Sequence, residues 1–353
     1  MRGGTSKGVF CRLEDLPVER AARDALLADL MGSPDPMQLN GLGGTHSSTS
    51  KVMGVTRSGR AGVDVEYLFA QVGIEDGIVD YAGNCGNLTA AIAAYAVDEG
   101  LVAIEPGGAT RTVLLFNQNT GVRIRSTVQL TAAGRVEWRG DTAIDGVPGT
   151  GAPVTTDYLD PAGSMTDKLF PTGSRQDVVD GVAVSVVDVA SPHVFLRAHD
   201  VGLTGAEAPA DVNADTVLLD RLERLRRQCG DAIGIAGSAI PRLIMVSPPT
   251  AAGHIRVLAT SMGRAHHATP ITGALCTAAA LRLPGTVAAE VARFGADPSP
   301  GVVRIEHPKG LVEATVEVTA DGDVRSAGVV RTARRLLAGT ALLKGANVKG
   351  ASA

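Results

Sequence analysis

Two stretches decide the fold: Asn84-Cys85-Gly86-Asn87-Leu88-Thr89-Ala90-Ala91 and Thr269-Pro270-Ile271-Thr272-Gly273-Ala274-Leu275-Cys276. Each is a short glycine-bearing turn that runs into an alanine-rich apolar segment, and each follows several strand-like runs. They lie about half the chain apart. The pattern predicts two similar α/β halves, each presenting the start of a buried helix to a shared cleft. Glycine turns before alanine-rich helices are common, so spacing alone leaves a chance likeness open.

Apolar periodicity predicts a helix over 19–31, strands over 52–56, 63–72 and 78–81, and a helix over 88–97 that stops at Gly100. Strands follow over 110–117, 122–130 and 136–138. Residues 141–174 are rich in Gly, Pro, Thr and Asp and read as connecting loops. The pattern then restarts. It predicts strands over 182–189 and 194–198, an amphipathic helix over 211–229, and strands over 243–246 and 255–260. A second alanine-rich helix over 274–283, strands over 302–306, 311–318 and 324–330, and a helical or frayed segment over 333–343 complete the chain. Residues 1–178 and 179–353 are the expected halves, with the C-terminal end exchanging back to the first.

The 353 residues carry 33 Lys and Arg against 37 Asp and Glu, a net charge of −4 without a basic stripe. With aromatics at only 3%, there is neither the charge nor the stacking surface for nucleic acid. A hydrophobic fraction of 44% excludes a disordered chain, and 43 glycines imply an aliphatic core connected by tight turns. Cys11, Cys85, Cys229 and Cys276 are far apart in sequence, as expected for a reduced, cytoplasmic protein. No apolar run reaches the roughly 18 residues that would span a bilayer.

Four constellations carry candidate chemistry. In Gly83-Asn84-Cys85-Gly86-Asn87 a thiol sits at a helix start, where unpaired amides and the helix dipole favour the thiolate. The amides of Gly86 and Asn87 suit a carboxylate or a developing enolate. The alternative is a small buried cysteine at a helix cap. In Gly41–Lys51, Ser47, Ser48 and Ser50 form a hydroxyl-rich loop, and Lys51 stands where that loop becomes an apolar strand. Desolvation there lowers a lysine pKa and makes a base of it, unless the loop is simply a solvated one. At the N-terminal end Arg2, Thr5 and Ser6 lie among glycines, a pattern that also fits a loose tail. Finally, His266 and His267 precede the second helix turn. In a strand they would face opposite ways, so one of them, His266, is expected to line the cleft, with Thr272 and Gly273 beyond it. No metal-ligand spacing, GxSxG elbow or GxGxxG fingerprint is present, and no metal or cofactor is expected.

These strings resemble the PrpF family. Met1–Val9 (MRGGTSKGV), the SSTSK ending of Gly41–Lys51, GNCGN over 83–87, Leu203-Thr204-Gly205 and MGRAHHA over 262–268 agree with it in order, from Met1 to about Val330. The family contains 2-methylaconitate cis-trans isomerase, 4-oxalomesaconate tautomerase and methylitaconate and aconitate Δ-isomerases. The resemblance implies a diaminopimelate-epimerase-like fold: two pseudo-symmetric domains, each a curled, mostly antiparallel sheet around a central helix, with the active site between them. It also implies that Lys51 and Cys85 are the acid/base pair. Related epimerases have a second cysteine at the second helix turn. Here that place falls at about Pro270, with Cys276 deeper in the helix, which disfavours a two-cysteine racemase. Relatives carry a short strand ahead of the MRGGTSKG motif, on which the placement of Arg2 depends.

The expected reaction is a cofactor-independent 1,3-proton shift on an unsaturated di- or tricarboxylate such as 2-methylaconitate or aconitate. Carboxylates are expected on Ser47, Ser48, Ser50, Thr5, Ser6, Arg2, Asn84, Gly86, Asn87, His266, Thr272 and Gly273. The alternatives are a 4-oxalomesaconate tautomerase and a non-catalytic binding protein of the same fold. A homodimer is the expected assembly.

Overall fold

The computed structural model describes residues 1–105, 107–235, 237, 240–250, 252–294 and 301–344. Its strands form one continuous 18-stranded sheet among the described residues, with a separate hairpin of Thr142–Ala143 and Thr150–Gly151. The pairing order reads the same way from both ends. In the first half, Val9–Arg12 runs parallel to Lys51–Arg57, which is antiparallel to Val65–Val72, which is parallel to Thr110–Asn117. Two antiparallel steps then add Arg123–Gln129 and Pro153–Leu159. In the second half, Pro192–Arg197 is parallel to Arg242–Ser247, then antiparallel to Ile255–Ser261, then parallel to Val302–His307. Gly310–Val318 and Val324–Arg334 add the same two antiparallel steps.

The halves join where their last strands pair, Pro153–Leu159 against Val324–Arg334. The far end of Val324–Arg334 also takes up Arg2–Gly3, which pairs in turn with Ser6–Lys7. Each half is therefore a mostly antiparallel sheet with a buried helix at its centre. In the second half that helix is Ile271–Leu281, every residue of it buried. In the first half it is broken into Gly86–Thr89 and Ile92–Asp98. The break at Ala90-Ala91 departs from the single helix expected over 88–97. Both helices pack into one large cluster with Val113, Ile124, Ile305 and Val329 of the surrounding strands. Small alanines let the strands approach closely, which is why scarce aromatics suffice.

Each half also carries helix on the outer face of its strands. Arg20–Met31 buries Leu27, Leu30 and Met31 against Val52, Ala70 and Val72, and ends on Gly32 in the left-handed conformation. Thr216–Ala232 buries Leu222, Leu225 and Cys229 against Leu196, Leu243 and Met245. The helix expected over 211–229 is divided at Asp215, whose carboxylate accepts the Leu218 amide and caps the second piece.

Three expectations are corrected. Residues 153–159 lie within a stretch read as loop, yet they form the central strand that joins the halves. Residues 136–138 make only an isolated bridge, Val136 to Leu130. After Arg334 the described chain contains no helix. The expected second half runs to Ala353, and residues 345–353 lie outside the described residues. No described helix is long and apolar enough to cross a membrane.

Candidate active site

The two central helices start against each other. A Cβ added to Gly86 would fall 2.7 Å from the Ile271 Cβ and 3.2 Å from the Tyr158 hydroxyl, so only glycine allows this approach. Cys85 caps the first helix and Pro270 the second, at matching places. Around this junction is a cavity of about 90 Å³, whose walls include Lys51, Cys85, Arg242, His266 and Thr272.

Cys85 is buried, and its Sγ lies 3.8 Å from the Ser6 hydroxyl. Gly86 and Asn87 open the helix behind it, where the first amides have no intrahelical acceptor. The preceding Asn84 is fixed from three sides. Its Oδ1 accepts from the hydroxyls of Tyr67 (3.2 Å) and Thr89 (3.1 Å), and its Nδ2 donates to the Tyr158 hydroxyl at 3.1 Å. Asn87 exchanges two hydrogen bonds with Thr5, its Nδ2 donating to Oγ1 at 3.0 Å and its Oδ1 accepting the Thr5 amide at 3.3 Å. The cysteine turn is thus held by buried amide side chains.

Lys51 is the first residue of its strand. Its Nζ donates to Gln71 Oε1 and lies 5.3 Å from the centre of the Phe69 ring. Gln71 in turn donates from Nε2 to the Ser50 carbonyl at 2.9 Å and the Ser47 carbonyl at 3.2 Å, tying the lysine to the serine loop. Burial lowers the Lys51 pKa; Cys85 opposes that shift, and the Arg242 guanidinium adds to it. The cavity therefore holds a lysine that gives up its proton more readily than a solvated one.

His266 Nδ1 accepts the Ala268 amide at 3.0 Å, which leaves the ring proton on Nε2. Burial, then the neighbouring His267, brings its pKa down to about 3, so the ring is a neutral donor. The two histidines follow the short strand Arg264–Ala265 in an irregular segment. Their rings stack at 4.5 Å, contrary to the opposed orientation expected for a strand. His267 also meets His46 edge-on at 5.3 Å, bringing the 41–51 loop against the second half.

Of the expected residues, Lys51, Cys85, Ser6, Ser47, Ser48, Asn84, Gly86, Asn87, His266 and Thr272 border this cavity. Four are placed elsewhere. Ser50 is fully buried, donating to the Val72 carbonyl at 2.9 Å and accepting from Gln38 Nε2 at 2.8 Å. Arg2 bonds to the carbonyl and hydroxyl oxygens of Thr332 and to the Gly4 carbonyl, all within 3.0 Å, and so fastens the chain start to the last strand. Gly273 is buried in the second helix, with its Cβ position 3.4 Å from Ile244 Cδ1. Thr5 borders a different cavity.

Arg242 was not anticipated from sequence. Its Nη1 lies 3.4 Å from the Thr272 hydroxyl, its Nε is buried with no partner, and no carboxylate forms an ion pair with it among the described residues. Burial lowers its pKa, while Cys85 and Asp80 oppose that shift. A desolvated guanidinium with an unused N–H beside the thiol is a ready carboxylate holder. The missed signal is positional, since Arg242 opens its strand as Lys51 opens the matching one. Gln71 was missed as well; nothing marks a lone Gln on an alternating strand. No group of three or more His, Cys, Asp or Glu fit to hold a metal occurs among the described residues.

Comparison with known proteins finds relatives over nearly the whole chain. The family model for PrpF protein matches residues 1–344. The (4E)-oxalomesaconate Delta-isomerase of Novosphingobium sp. (strain KA1) is 42% identical over 342 residues, covering 96% of this chain and 95% of that protein. The 2-methyl-aconitate isomerase of Shewanella oneidensis (strain MR-1) is 36% identical over 378 residues, covering 96% and 94%. A crystal structure of methylitaconate-delta-isomerase superposes with a TM-score of 0.81 at 36% identity, covering 99% of this chain and 97% of that one.

Proposed function

We infer the reaction from one premise: this chain belongs to the PrpF family. It is an isomerase, and its fold is the diaminopimelate-epimerase-like one. Its substrate, in this proposal, is an unsaturated di- or tricarboxylate such as 2-methylaconitate or aconitate, and the chemistry is a proton shift that calls on no cofactor. Residues 1–178 and 179–353 serve as its two homologous domains. The observation that carries the reading is the meeting of Lys51, Cys85 and Arg242 on one cavity.

The steps follow from these groups. A substrate carboxylate takes the Arg242 guanidinium and the hydroxyls of Ser47, Ser48 and Thr272. One member of the Lys51/Cys85 pair removes a proton from the carbon next to the double bond. The electron pair left behind delocalises through the double bond onto the carboxylate as a dienolate. The other member returns a proton to the far carbon, moving the double bond, or rotation precedes reprotonation and changes its geometry. The reaction is redox-neutral, and the group acting as acid in one direction is the base in the reverse. Amides at the two helix starts and the His266 Nε2–H are donors to the developing anion, each such donor worth about 3 kcal/mol.

Incubation with trans-aconitate in D₂O, followed by proton NMR, tests this. Lys51→Ala and Cys85→Ser should each abolish deuterium incorporation. Full exchange in both variants would falsify the assignment. Saturable binding of unsaturated tricarboxylates with no exchange in the unaltered protein would favour a binding protein instead.

A second substrate reading has an observation behind it. Identity is higher to the oxalomesaconate isomerase than to the 2-methyl-aconitate isomerase. Comparing turnover of 4-oxalomesaconate and 2-methylaconitate decides between them.

A further inference from the structure

Behind the partition formed by Asn87 and Ile271 is a second cavity, of about 530 Å³. Those two residues border both cavities. The partition is fixed, since Asn87 is bonded both ways to Thr5 and Ile271 packs on Gly86.

Arg331 of the last strand borders this space and is only 9% exposed. Its Nη1 donates to the Val330 carbonyl at 3.0 Å, and its Nε is buried without a partner. No carboxylate pairs with it among the described residues, and burial alone brings its pKa down to about 10, so it stays charged at neutral pH. A buried cation with neither counter-ion nor full hydrogen bonding is costly, and such groups are ordinarily paired.

Two neutral donors border the same cavity. The Thr269 Oγ1 is buried with no partner. His307 Nδ1 accepts the Lys309 amide at 3.1 Å, which puts the ring proton on Nε2, and burial keeps the ring neutral with a pKa of about 4. Two carboxylates, Asp145 and Glu313, also border the cavity, and both are exposed; Asp145, beside His307, accepts the Leu311 amide at 2.7 Å.

We propose that the second cavity binds a small organic carboxylate on Arg331, assisted by Thr269 and His307, as a molecule separate from the one in the catalytic cavity. A carboxylate is the ligand that supplies the missing charge and accepts from these donor residues together. The assignment rests on Arg331 and its surroundings and does not depend on the reaction proposed above.

The test is calorimetric titration of the full chain with tricarballylate, a saturated tricarboxylate that has no double bond to move. Two sites are expected. Arg331→Gln should remove one and leave the other, which Arg242→Gln weakens instead, roughly 10- to 100-fold. Thr269→Val, a milder change, should weaken only the Arg331 site, about tenfold, and Arg331→Lys should restore part of its affinity. One site in the unaltered protein overturns the proposal, including one weakened by both arginine changes, which would mean a single ligand reaching across the partition. Two sites persisting in Arg331→Gln also overturn it.

Discussion

Lys51 and Arg242 are positional counterparts: each is the first residue of the second strand in the matched series of its half, and both border the same cavity. The duplicated fold has thus brought two cations to one place with different tasks. Lysine, whose pKa burial can move, suits proton transfer. Arginine stays charged and suits anion binding.

Arg242→Gln should therefore act on binding first. A charged hydrogen bond of this kind is worth about 1.5–3 kcal/mol, so KM should rise roughly 10- to 100-fold. Steady-state kinetics should show kcat falling less, and Arg242→Lys should recover part of the loss. Unchanged KM would remove Arg242 from the carboxylate site.

Lys51 also has a cost to the fold. Its folded pKa lies below the ordinary 10.5, so the unfolded chain binds more protons between the two values, and stability rises as pH rises through that window. Lys51→Met should raise Tm at neutral pH, with the gain shrinking toward pH 10.5. A Tm difference independent of pH would contradict this.

His266 gives the opposite limb. It is neutral in the fold with a pKa of about 3, against 6.5 unfolded, so stability is lost as pH falls from 6.5 toward 3. The loss is about 1.4 kcal/mol per pH unit for one such histidine. Urea unfolding at several pH values should show a flatter acid limb in His266→Gln.

Gly86→Ala places a methyl 2.7 Å from the Ile271 Cβ, where neither helix can yield alone. Overpacking should cost about 1–3 kcal/mol and separate the paired helix starts, lowering kcat with it. Wild-type activity and Tm would show that the junction is looser than described.

Much of this arrangement is legible in the sequence. The GNCGN and PITGA turns mark both central helices, and the loop-to-strand passage at Lys51 marks a desolvated amine. Residues 153–159 escape notice because their inward face includes Thr156, buried beside Val154 and Tyr158, in a background of Gly, Pro and Asp that masks the alternation. Ser50 misleads in the other direction: its hydroxyl is indistinguishable in sequence from those of Ser47 and Ser48, and only the fold assigns it to Gln38. Aligning the halves by their helix turns alone passes over Arg242. Aligning them by strand starts finds it.

The pairing of Pro153–Leu159 with Val324–Arg334 also orders the birth of the molecule. During synthesis the first half can fold early, but one side of its strand 153–159 stays an open edge until the ribosome has made some 165 further residues. Such an edge invites pairing with neighbouring nascent chains, and the contact that closes it is among the most distant in sequence. Polar Thr155 and Asp157, alternating along that strand, are the kind of side chains that keep a waiting edge soluble.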